Sequence, residues 1–272
     1  MSLVVESAGM TDVGQKRKGN EDSLFVDDSL GLYVVADGMG GHLAGEVASR
    51  MVVETMADYI RRAANAGNGR EDMAIHEPAY SMEANRLLSS VFLANQVVYE
   101  VSTQKKEYRG MGSTVSGVYL TSDTFVTVNV GDSPIYLVHD SQIETISVPH
   151  TVMDEQRAID PEAADQLDSK FEHMLTRAMG VHADVEPSVS EIQCFAGDIL
   201  VIGSDGLTNK VNEQEILAIV TTHKADKACS ELVDLANARG GEDNITVIVL
   251  KIQKVKHGGG ILSMLTGLFK RQ

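Results

Sequence analysis

The sequence predicts an α+β fold, a four-layer α-β-β-α sandwich in which two antiparallel sheets are flanked by helix pairs. Three observations predict it. Short, β-branched, turn-bounded segments follow one another through connections of hairpin length. They alternate with two pairs of segments whose apolar residues recur at helical spacing. Helices with one apolar stripe and sheets with one apolar face cover each other as layers. The chain has 272 residues, 43% apolar and 23% charged, which suits a globular protein with a substantial core. No apolar run approaches the ~20 residues of a membrane span. The first residues lack the basic-then-apolar pattern of a secretory signal. A net charge of −16 speaks against nucleic-acid binding, which needs basic patches. Cys194 and Cys229 are far apart and form no CxxC, so they read as reduced thiols of a cytoplasmic protein.

In chain order, Val4 to Met10 reads as a strand and Gln15 to Asn20 as a polar, basic loop. Leu24 to Val26 and Leu32 to Ala36 form a hairpin around Asp27 to Gly31. After Gly41 the period changes to 3.6, with Ala44, Ala48, Met51, Val52, Thr55 and Tyr59 on one helical face. A polar connector ends near Pro78. A second helix follows, with Leu87, Leu88, Val91, Phe92, Asn95, Val98 and Tyr99 on its face. Strands return at Ser113 to Leu120, Thr124 to Val130, Ile135 to Val138 and Ile143 to Ile146, which read as an antiparallel meander. Acidic short helices around Asp160-Pro161 come next. Val185 to Phe195 and Asp198 to Gly203 read as a hairpin turning at Ala196-Gly197. Helices over Asn212 to Val220 and Asp226 to Ala238 precede Asn244 to Ile252, an almost continuously apolar central strand. With no linker before Gly258, one domain is expected.

The stretch Val34-Val35-Ala36-Asp37-Gly38-Met39-Gly40-Gly41-His42 carries the first chemistry. An apolar strand ends in a carboxylate beside a glycine turn, which can present carboxylate and carbonyl oxygens to one hard cation. The pattern recurs at Leu200 to Gly206, ending in Asp205-Gly206, and Asp243 stands directly before the last strand. Each Asp alone is equally a turn residue. Three at strand ends in this order speak against the turn reading. Carboxylates without Cys or clustered His point to Mg²⁺ or Mn²⁺ rather than structural Zn²⁺.

Seven motifs occur in a fixed order: Arg17-x-x-Asn20-Glu21-Asp22, Val35 to His42, Gly112-Ser113-Thr114, Val130-Gly131-Asp132-Ser133, Leu175 to Gly180, Ser204-Asp205-Gly206-Leu207 and Asp243-Asn244-Ile245-Thr246. Together they resemble the metal-dependent, type 2C serine/threonine protein phosphatases in their compact bacterial form, over roughly Val4 to Ile252. The resemblance implies two Mn²⁺ or Mg²⁺ ions. Asp37 bridges both, the Gly38 carbonyl completes one site, and Asp205 and Asp243 hold the other. Glu21 and Asp22 orient metal-bound waters. Arg17 grips the substrate phosphate, and His42 stands near the leaving group. Gly112 to Thr114 and Gly131 to Ser133 are read as structural, with Asp132 capping a turn. Two positions depart from the family pattern. Pro134 replaces an Arg, and Pro149 before His150 replaces the Asp of a third metal site, for which Asp154 or Glu155 are substitutes.

The chemistry suits these residue types. Two metals roughly 3.5–4 Å apart share and acidify a water, which attacks phosphorus in line. Arg17 offers a planar fork to two phosphoryl oxygens. His42, with an ordinary pKa near ~6.5, protonates the departing serine or threonine oxygen. His76, His173, His182 and His223 show no ligand spacing and read as surface residues, and Met39 reads as core. The expected activity is hydrolysis of phosphoserine and phosphothreonine in proteins phosphorylated by a Ser/Thr kinase. The alternative is a pseudo-phosphatase that binds phosphoprotein without turnover. Residues 1–253 form the expected phosphatase domain, and 254–272 a glycine hinge and amphipathic tail. Within that tail, Ile261 to Phe269 read as a helix folded back on the domain or as one docking in a partner's apolar groove.

Overall fold

The computed structural model describes residues 3–40, 43–66, 75–164, 166–168 and 171–255. The strands are β1 (Val4–Asp12), β2 (Asp22–Asp27), β3 (Leu32–Met39), β4 (Gly112–Ser113), β5 (Val115–Leu120), β6 (Thr124–Val130), β7 (Ile135–His139), β8 (Gln142–Thr145), β9 (Ser188–Gln193), β10 (Ile199–Gly203) and β11 (Ile245–Lys254). The helices are α1 (Leu43–Ala66), α2 (Met82–Gln104), α3 (Val152–Ile159), α4 (Pro161–Ala164), α5 (Asp205–Thr208), α6 (Glu213–Thr222) and α7 (Ala225–Ala238). One sheet has the order β1-β11-β10-β7-β8. The other has β2-β3-β5-β6-β9, with β4 beside the end of β3.

The predicted sandwich is present, and strand alternation builds it. On β3, Leu32, Val34 and Ala36 face α1 and α2, whereas Tyr33 and Val35 face the opposing sheet. On β10 and β11, Leu200, Ile202, Ile248 and Leu250 fill the space between the sheets, and Val201, Val247 and Val249 meet α6 and α7. β11 lies between β1 and β10, which accounts for its unbroken apolar run. The buried face of α1 is broader than predicted. It adds Val53, Met56 and Ile60, because this helix packs on both β3 and α2.

Two connections depart from the predicted hairpins. Gly131 to Pro134 does not turn β6 back on itself: β6 pairs in one sheet and β7 in the other. The Gly131 backbone finds its partners on His150, donating to Nδ1 at 3.2 Å and accepting from His150 N–H at 2.9 Å. The turn between β9 and β10 also crosses sheets, since β9 pairs β6 while β10 pairs β7 and β11. Its backbone is tied to β11 through Gly197 N–H to Ile252 O at 2.8 Å. Loop length alone does not distinguish a hairpin from a crossing between layers, since both are satisfied by two to five residues.

Asn95 stands on the apolar face of α2, and the structure explains why. Its Nδ2 donates to His182 O and Ala183 O at 3.1 and 3.0 Å, and its Oδ1 accepts from Gly180 N–H at 2.7 Å. The helix thereby anchors the loop that follows the Leu175 to Gly180 motif. Replacing Asn95 by Ala leaves three backbone groups without their partner, so a loss of about 2–4 kcal/mol is expected in urea unfolding. Amide exchange at Gly180 to Ala183 should rise in the same variant, and unchanged exchange there would show that the loop is held by other contacts.

Candidate active site

The site lies at one end of the sandwich, where β3, β6 and β10 finish and β11 begins. Asp37 continues the Tyr33-Val35 row on the inner face of β3, so its carboxylate stands where the apolar filling between the sheets stops. β3 runs on to Met39 instead of stopping at Ala36, because β4 pairs with Gly38 and Met39. The backbone at Asp37 is fixed on both sides. Its N–H donates to Thr114 Oγ1 at 3.0 Å, and its carbonyl accepts from Thr114 N–H at 2.8 Å and Ser113 Oγ at 3.0 Å. Gly38 is pressed between elements: a Cβ there would stand 2.1 Å from Gly45 O and 2.5 Å from Glu21 O. Only glycine allows that approach.

Asp22 lies directly opposite Asp37 in the β2–β3 ladder, so two carboxylates share one face. Asp22 is buried and accepts from Ser204 Oγ at 2.8 Å, a bond that links the two sheets. Ser204 in turn accepts from Thr246 N–H at 3.0 Å. Asp205 opens α5 immediately after β10. Asp243 precedes β11, takes its own neighbour's N–H from Asn244 at 2.8 Å, and pairs with Arg17 at 2.6 Å. The Glu21 main chain joins the same edge, its carbonyl accepting from Gly38 N–H at 3.1 Å and its N–H donating to Asn244 Oδ1 at 2.8 Å.

Burial and mutual repulsion make this cluster reluctant to ionise without a cation. Burial, then the charges of Asp22 and Asp205, hold the Asp37 carboxyl well above the usual carboxylate range. Burial pushes Asp22 up to about 6, although hydrogen bonds from Thr246 and Ser204 pull the other way. Asp132 is pushed to about 6 by burial and by Asp205. Asp205 is raised by burial and by Asp243. Among the described residues, Asp22 Oδ1 and Asp205 Oδ1 are buried without a hydrogen-bond partner. Unpaired buried carboxylate oxygens beside further carboxylates fit a hard divalent cation.

The residues predicted as ligands therefore come together, and the structure adds others. Asp132 is half-buried at the crossing between β6 and β7. Its carboxylate, one from Asp205 and a ring nitrogen of the exposed His173 lie within 4.8 Å of one another. The reading of Asp132 as a turn cap is incomplete, and His173, exposed as expected of a surface residue, stands beside Asp132 and Asp205 although its position in the sequence shows no ligand spacing. The substitutes named for the missing Asp do not join this group. Asp154 lies in the first turn of α3, where its carboxylate accepts from the N-cap Thr151 Oγ1 at 2.7 Å, and Glu155 accepts from Thr176 Oγ1 at 2.7 Å. Asn244 of the Asp243 to Thr246 motif is a positioning residue. Its Nδ2 donates to Val13 O and Gly19 O, each at 3.0 Å, holding the loop that carries Arg17. Met39 is not core: it is half-buried and lines the cavity beside Asp37. His42 and the segment Ile261 to Phe269 lie outside the described residues.

Residues 15–233 match the family described as Protein phosphatase 2C. The chain belongs to this family. It is 34% identical to a putative protein phosphatase 2C-type of Streptococcus pyogenes, over 88% of this chain and 94% of that protein. It is 30% identical to the serine/threonine protein phosphatase PstP of Mycobacterium tuberculosis, covering 95% of this chain but spanning 47% of PstP. The solved catalytic domain of PstP in complex with two manganese ions superposes with a TM-score of 0.77 at 29% identity, covering 93% of this chain and all of that one.

The raised carboxyls set a pH dependence. Unfolded carboxylates ionise near pH ~4, whereas Asp22 and Asp132 ionise near 6 in the folded chain. Between these values the folded state binds more protons than the unfolded state. The stability they contribute is fully present below about pH 4 and falls as pH rises to about 6. In chelator, the Tm should therefore drop across that window, and Asp22→Asn should make the drop shallower. A divalent cation should raise Tm more at pH 7 than at pH 5. An equal slope in Asp22→Asn and the parent chain would remove Asp22 as a source of the effect.

Proposed function

We propose that this chain is a serine/threonine protein phosphatase that hydrolyses phosphoserine and phosphothreonine with two Mn²⁺ or Mg²⁺ ions. The observation that carries this reading is the group of Asp22, Asp37, Asp132, Asp205 and Asp243, largely withdrawn from solvent except for Asp243, whose charges oppose one another at one end of the sandwich. Asp37 and the Gly38 carbonyl would hold one cation, and Asp37 with Asp205 and Asp243 the other. Asp132 and His173 beside Asp205 offer a further cation position. When bound, such a pair of ions supplies charge for the phosphoryl oxygens and makes water nucleophilic near neutral pH. Glu21 and Asp22 orient solvent at this centre. Arg17, half exposed and mounted on the loop held by Asn244, reaches the phosphate once it releases Asp243. His42 donates the proton that the departing alkoxide needs.

The substrates in this reading are proteins phosphorylated by a Ser/Thr kinase, and the catalytic unit is residues 1–253 extended by Lys254, which completes β11 opposite Val4. No described helix is long and apolar enough to cross a membrane. Both cysteines are free and buried, which supports a reducing, cytoplasmic setting. A complete set of carboxylates favours turnover over phosphoprotein binding alone.

Phosphopeptide hydrolysis should require Mn²⁺ or Mg²⁺ and vanish in chelator. Full activity in chelator would overturn the reading. Asp37→Asn and Asp243→Asn should lose metal binding, read by calorimetry, together with turnover. Arg17→Ala should raise KM more than it lowers kcat, because a phosphate clamp acts on the ground state as well as the transition state. His42→Ala should lower kcat for alkyl phosphates and spare aryl phosphates, whose leaving groups need no proton. Equal losses on both substrates would take the general-acid role away from His42.

A further inference from the structure

The cavity that holds the carboxylates is not lined by polar groups alone. Its volume is about 380 Å³, and beside Asp37, Asp132 and Asp205 it is lined by His173, Arg177 and His182. Met39, Leu175 and Val181 add apolar surface to the same lining. Met39 follows Asp37 by two residues on β3, so both side chains leave the same face of the strand. Val181 is 43% exposed, although it follows a loop that is firmly held. Asn95 binds Gly180, His182 and Ala183, and Ser102 Oγ donates to Gly180 O at 3.2 Å. Met39 and Val181 meet above Gly112. A Cβ on Gly112 would come 2.7 Å from Met39 Cε and 3.1 Å from Val181 Cγ2, so the missing side chain is what lets the two close together. This explains the Gly112 of the Gly112-Ser113-Thr114 motif.

Resting on the phosphatase reading, we infer that Met39, Leu175 and Val181 form a subsite for one apolar side chain of the substrate, within two residues of the phosphorylated Ser or Thr. The subsite shares one cavity with the carboxylates, so a phosphoryl group seated there carries its neighbouring residues across the apolar surface. A rigidly held, exposed apolar surface at the edge of a reaction cleft lowers its free energy when a ligand covers it. The subsite therefore selects phosphorylated segments with Leu, Ile, Val or Met beside the phosphoresidue.

The test uses the full chain with Mn²⁺ and a set of phosphothreonine peptides. Ser is exchanged for Leu singly at each of the two positions before and after phosphothreonine. At one position or more, Leu should raise kcat/KM about tenfold, the discrimination that a small apolar pocket supplies. Val181→Ser should bring that ratio close to one, and Val181→Ile should keep it. A purely structural role for Val181 would lower both peptides together and leave the ratio untouched, which overturns the inference. So does a parent chain that hydrolyses all peptides alike. Failure to hydrolyse any peptide is failure of the phosphatase reading instead. In that case the ratio of Kd values for the Leu and Ser peptides, measured by fluorescence anisotropy, decides the subsite by itself.

Discussion

The constraint on which the rest of this structure depends is the crowding of like charge. Asp22, Asp37, Asp132, Asp205 and Asp243 act on one another at the end of an otherwise apolar sandwich. Bringing carboxylates out of water costs several kcal/mol each unless they are paired. The fold meets that cost with rigidity. The inner rows of both sheets, Tyr33 and Val35 on one side and Leu200, Ile202, Ile248 and Leu250 on the other, run straight up to the charged edge. The carboxylates therefore cannot splay apart without opening the core. Ser204 ties the two sheets at the same level through its bonds to Asp22 and Thr246. The positions of these carboxylates are set by backbone, since they stand at or beside strand ends.

Much of this was legible in the sequence, for a physical reason. Period-two and period-3.6 patterns come from burial, and burial decides layers. Asp37, Asp205 and Asp243 could be located because each ends or precedes an apolar strand, and strand ends gather at sheet edges. The sheet in which each strand belongs was less accessible. Gly131 to Pro134 and Phe195 to Asp198 have hairpin length, yet both cross between layers, and the partners that make the crossing possible are His150 and Ile252 far along the chain. Asp132 was underestimated for the same reason, since its importance arises only once the crossing turns it toward Asp205. His173 and Asn244 act through contacts across large separations, and no local pattern marks such contacts.

Arg17 shows how weak interactions fit this design. Its pair with Asp243 is short, at 2.6 Å, but the side chains are 51% and 35% exposed. A pair so open to solvent contributes about 0–1 kcal/mol, far less than a buried one. The guanidinium thus relieves some repulsion within the acidic group at little cost to its own freedom. In the proposed reading a divalent cation would neutralise Asp243 more completely than one guanidinium does, so cation binding and release of Arg17 would favour each other. Asn244 is what makes the exchange orderly. It fixes Val13 and Gly19 at the two ends of the loop and leaves the Arg17 side chain between them to turn. The fixed parts of the site are held by backbone and buried hydrogen bonds. The Arg17 guanidinium is held, among the described residues, by one solvent-screened contact, that with Asp243.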